Sequence, residues 1–69
     1  MRRKIWTRPG NPTRGVARTL GVTRARLGRA IHRIKRGAGL LPRDNVTIWD
    51  DGMVTVDNDV PIGNIYDEV

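Results

Sequence analysis

The sequence predicts a single small α+β domain, with two N-terminal helices packed on a three-stranded antiparallel sheet. Three observations predict it. Apolar residues recur at helical spacing as far as Ile34, then switch to a period of two from Asn45 onward. A turn signal, Asp50-Asp51-Gly52, lies between two β-branched runs. The chain has 69 residues, which leaves room for one core. A domain of that size buries about 60% of the surface its unfolded chain exposes.

Residues 1–12 are basic, contain Pro9 and Pro12 and show no period, so they read as an extended arm ahead of a domain at 13–69. Residues 13–20 form a short helix, capped by Thr13, with Val16, Ala17 and Leu20 as its buried stripe. Gly21 suits a left-handed helix cap and Val22 plugs the turn. Thr23 then caps a second helix, which Gly37 and Gly39 stop. On it Leu27, Ala30, Ile31 and Ile34 share one face, while Arg26, Arg29, His32, Arg33 and Arg36 lie towards the other. Leu40, Leu41 and Pro42 connect helix to sheet.

The hairpin register follows from matching faces. A two-residue loop pairs Ile48 with Thr55 and mixes apolar with polar. A three-residue loop with Gly52 left-handed pairs Ile48 with Val54 and Val46 with Val56, leaving Thr47, Trp49, Met53 and Thr55 on the other face. The bulged hairpin is therefore expected, with the second helix covering the Val46, Ile48, Val54, Val56 face. Residues 62–66 read as a third strand, with Pro61 at an edge or entry position. Asp67 and Glu68 read as a solvated tail.

Charge is fully segregated. All 13 Lys and Arg lie within the first 43 residues and all 7 Asp and Glu within the last 26, so a +13 block precedes a −7 block. Eleven of the basic residues are Arg, suited to bidentate phosphate contact and base stacking. Such a block attracts polyanions, and each neutralised phosphate releases counterions. A merely solvated surface does not require this segregation. The basic helix also lacks the bulky apolar face of a membrane-surface helix. No Cys and one His are present, which argues against a disulfide framework and a Cys- or His-anchored metal site. No apolar run approaches the roughly 20 residues of a membrane span, and no signal peptide is visible. Neither a cofactor, a metal nor a membrane anchor is expected.

Two constellations carry chemistry. Ala17, Leu20, Gly21, Val22, Leu27 and Ile31 follow the helix-turn-helix pattern, which makes the second helix a reader of a DNA groove through arginines. Against this, a sheet stands where a third helix belongs. The other constellation is His32, three residues after Arg29 and four before Arg36. RNA is cut without metal when a base takes the ribose 2′-hydroxyl proton, a cation holds the phosphate and an acid protonates the leaving oxygen. His32 fits the base or the acid; Lys35, Arg33 or a sheet hydroxyl such as Thr55 completes the site. Its bland counterpart is a solvated histidine on a basic helix. Trp6 is expected to stack on a base, the alternative being a packing role. Trp49 beside Met53 reads as a sheet-face packing residue, the alternative being a base-stacking platform. A third reading is an interaction domain whose basic face docks an acidic protein.

The stretches His32-Arg33-Ile34-Lys35, Ala38-Gly39-Leu40, Asp44-Asn45-Val46-Thr47-Ile48, Asp51-Gly52-Met53-Val54 and Ile62-Gly63-Asn64-Ile65-Tyr66-Asp67-Glu68 resemble the short C-terminal toxin domains of bacterial polymorphic toxins of the Rhs and contact-dependent-inhibition types. The helix-then-sheet order is similar to the metal-independent RNases that include barnase, the colicin RNases and the RelE toxins. The resemblance implies a ribonuclease acting on RNA, tRNA foremost. It implies a module secreted or delivered by the producing bacterium, acting in the target-cell cytoplasm and neutralised by a cognate immunity protein. It further implies His32 and Lys35 as the catalytic pair, with Thr55 and Arg36 as helpers. The chain departs from that group in having three evident strands where four are common.

Overall fold

The computed structural model describes residues 2–7, 14–57 and 59–69. The architecture is α+β: helices lie on one face of an antiparallel sheet whose strand order is β1-β2-β3-β4. In chain order the elements are β1 (Lys4–Trp6), α1 (Arg14–Leu20), α2 (Arg24–Gly37), β2 (Thr47–Trp49), β3 (Met53–Val56), β4 (Val60–Asn64) and α3 (Ile65–Glu68). The expected Thr13 cap and the rest of the arm, residues 8–12, lie outside the described residues.

Both helix ends follow from glycine. Gly21 has φ +71°; the Val22 N–H reaches Ala17 O and the Gly21 N–H reaches Arg18 O. Gly39, at φ +75°, repeats the pattern at the end of α2, with Leu40 N–H to Lys35 O and Gly39 N–H to Arg36 O. Both are paired 6→1 and 5→2 closures that satisfy the last carbonyls and turn the chain sharply. At its start α2 is capped by Thr23, whose hydroxyl accepts from the Arg26 N–H at 3.1 Å.

The hairpin has the bulged register. Ile48 pairs with Val54 and Thr47 with Thr55, and Gly52 sits at φ +88°. Ile48 and Val54 consequently face the helices, where they join Leu27, Ile31 and Ile34 in the buried cluster. β4 passes close beneath α2: a Cβ at Gly63 would lie 2.9 Å from the Ile34 side chain. Truncating a buried aliphatic such as Leu27 in this cluster to alanine is expected to cost about 2–5 kcal/mol.

Two expectations are corrected. The sheet has four strands, because Lys4–Trp6 pairs with β2 through Lys4↔Trp49 and Trp6↔Ile48; these residues belong to the fold rather than to a separate arm. At the other end β4 stops at Asn64, whose side chain accepts from the Tyr66 N–H at 2.9 Å and starts a helical turn. Tyr66 is therefore helical, not strand, and Asp67 and Glu68 belong to α3 rather than to a tail. The Tyr66 hydroxyl donates to Leu20 O at 2.8 Å, tying α3 to the end of α1.

Candidate nucleic-acid interface

α2 buries Leu27, Ala30, Ile31, Ile34 and Lys35 and leaves Arg26, Arg29, His32, Arg33 and Arg36 exposed. At 100° per residue, Arg26, Arg29 and Arg33 fall on one flank of the exposed ridge, His32 on the other, with Arg36 between. Among the described residues none of these arginines makes a side-chain hydrogen bond or ion pair with the chain's own groups. The like charges stand together in solvent.

His32, Lys35 and Arg36 line an open cleft of about 270 Å³, walled opposite by Leu40 and Pro42. Lys35 shapes this cleft. It is 4% exposed, and its Nζ donates to Pro42 O at 2.7 Å, holding the loop after α2 against the helix. Burial pushes the Lys35 ammonium below the usual lysine range, and the Asp44 carboxylate pulls it partly back. Among the described residues no carboxylate lines the cleft. His32 therefore shares this cleft with the Lys35 and Arg36 cations.

A second cleft of about 200 Å³ lies on the other flank, lined by Arg26, Arg29, Arg33, Glu68 and Val69. The sequence offers little signal for this one, since Glu68 reaches it only because α3 folds back towards α2.

Two site residues expected from sequence are placed elsewhere. Thr55 neighbours Val54 on β3, and Val54 faces the helices, so alternation puts Thr55 on the opposite face of the sheet from α2 and His32. There it is 1% exposed, and its Oγ1 accepts from the Trp49 indole N–H at 2.9 Å. It takes no part in a His32 site. Trp6 is 8% exposed and part of the core cluster, because its pairing with Ile48 turns it towards the helices; burial leaves no ring face for a base. Trp49 packs on the outer face as expected, with the Arg2 guanidinium 4.1 Å from its ring centroid and the Lys4 ammonium 5.5 Å away. These contacts engage two of the N-terminal cations on the side of the sheet away from α2.

The residues that suggest a helix-turn-helix form the contact between α1 and α2, as in any packed helix pair. Ala17, Leu20, Leu27 and Ile31 are buried, and Val22 packs against them. Among the described residues no cluster of His, Asp or Glu groups as a metal site, and no helix is long and apolar enough to cross a membrane. No protein-family model, no curated protein and no solved structure matches the chain.

Proposed function

We propose that the chain is a metal-independent ribonuclease module that gathers RNA on the arginine face of α2 and cleaves it in the His32 cleft. One observation carries the reading: an exposed imidazole stands in a groove lined by Lys35 and Arg36 and, among the described residues, by no carboxylate. In the proposed reaction His32 takes the 2′-hydroxyl proton and the 2′-oxygen attacks the adjacent phosphorus. Arg36 holds the non-bridging oxygens. The P–O5′ bond breaks, and the departing oxygen takes a proton from the Lys35 ammonium, which lines the cleft. The products are a 2′,3′-cyclic phosphate and a 5′-hydroxyl; proton exchange with water resets both groups. The resemblance to polymorphic-toxin tips supports tRNA as the substrate, delivery into a target-cell cytoplasm and an immunity protein as the inhibitory partner.

Incubation of the purified chain with total tRNA in EDTA tests this directly. Discrete fragments ending in cyclic phosphate are expected, and His32→Ala, with its fold intact, is expected to slow their formation by about 10²- to 10⁴-fold. Intact tRNA after prolonged incubation contradicts the proposal. A second reading, a DNA-binding module, is supported by the pairing of α1 and α2 across the left-handed turn at Gly21. Tight, sequence-dependent duplex binding without cleavage would select it.

A further inference from the structure

We propose that Arg26, Arg29 and Arg33 form a phosphate subsite in the cleft between α2 and α3, and that Glu68 is its gate, a carboxylate held where a strand's phosphate has to pass. This rests on the reading that α2 binds nucleic acid, and adds to it a second contact point with its own regulation.

The cleft lies across the ridge of α2 from His32, since consecutive positions 32 and 33 diverge by 100° around the axis. A strand with phosphates in both clefts therefore crosses the helix rather than running along it. The gap of about 200 Å³ corresponds to roughly seven water volumes, enough for a tetrahedral oxyanion and part of its hydration.

Glu68 is not drawn there by the arginines. Its place is set by uncharged contacts: Asn64 caps α3, the Ile65 N–H donates to Gly52 O at 2.8 Å, Ile65 is fully buried, and the Tyr66 hydroxyl anchors to Leu20 O. The fold thus holds Glu68, half-buried, at the edge of an arginine cleft. Among the described residues none of the three arginines forms an ion pair. A carboxylate so placed lowers the local potential without filling the site. An incoming phosphate must bring enough charge to outweigh it, which favours consecutive phosphodiesters over single weak anions.

The test uses a fluorescein-labelled oligothymidylate DNA, which has no 2′-hydroxyl, so that binding is read apart from cleavage. Dissociation constants at fixed low salt are measured for the unaltered chain, Glu68→Gln, Arg33→Gln, the double variant, and Asp59→Asn. The last removes one negative charge in the β3–β4 turn, at a left-handed φ of +67° that asparagine tolerates. Glu68→Gln is expected to tighten binding about fivefold, well beyond Asp59→Asn, and to lose most of that gain when Arg33 is already Gln. Equal effects of Glu68→Gln and Asp59→Asn, or an undiminished effect in the Arg33→Gln background, overturn the gate and reduce Glu68 to net charge. Failure of the unaltered chain to bind the oligonucleotide at all overturns the nucleic-acid reading as well, so the two failures are distinguishable.

Discussion

The Trp49 indole N–H donates to Thr55 Oγ1 at 2.9 Å, joining β2 to β3 across the outer face of the sheet. That bond assigns the Thr55 hydroxyl a structural role. Thr55→Val keeps the shape and removes the acceptor, leaving a nearly buried N–H unpaired, at a cost of about 1–3 kcal/mol. The denaturant midpoint is expected to fall while RNA cleavage by the folded fraction is unchanged. Lost cleavage at unchanged stability would put Thr55 back in the active site.

Glycines at positions 52 and 28 are predicted to respond in opposite directions. At Gly52, φ is +88° and an added Cβ would meet the Tyr66 ring at 2.6 Å. Gly52→Ala therefore combines backbone strain with a clash against α3 and is expected to cost about 2 kcal/mol or more. Gly28 lies inside α2 with nothing within 4 Å of an added Cβ, and Gly28→Ala is expected to gain about 0.5–1 kcal/mol. Thermal or denaturant unfolding of the two variants checks both signs.

Lys35 makes stability depend on pH. Folding lowers its pKa from the ordinary 10.5, so between the folded value and 10.5 the unfolded chain binds more protons than the folded one. Stability contributed by this group therefore rises with pH through that window and is at its lowest when the buried amine is fully charged. Lys35→Met is expected to remove this component. The check is the difference in unfolding free energy between the two proteins, followed from pH 7 into the window below 10.5. A constant difference would contradict it.

The hairpin and both helices are legible in the sequence for physical reasons. Only a three-residue loop keeps Ile48 opposite Val54, and Gly21 and Gly39 occupy positions that demand a left-handed residue. β1 is not legible. Lys4, Ile5 and Trp6 are too few to show a period, and they become a strand only by pairing with β2. α3 is one turn long, so Asn64 as an N-cap is its sole signal, and the alternation of Ile62 with its neighbours conceals it.

The site divides the same way. Helical spacing alone brings His32, Lys35 and Arg36 to one flank, because all three lie on one continuous element. Thr55 fails on a constraint already present in the sequence: if Val54 faces the helix, its neighbour cannot. Glu68 enters the arginine cleft through the fold of α3, which no local pattern announces.

Collection of phosphates by the arginine face of α2, as proposed, is measured most directly by the salt dependence of binding to single-stranded RNA. The association constant is determined at several salt concentrations for the unaltered chain and for a variant with Arg26, Arg29, Arg33 and Arg36 all changed to Gln. Each lost phosphate contact is expected to reduce the slope of log K against log salt by about 0.7, so the variant's slope is shallower by about three. Equal slopes in the two proteins, or binding by the unaltered chain that salt does not weaken, would contradict the account.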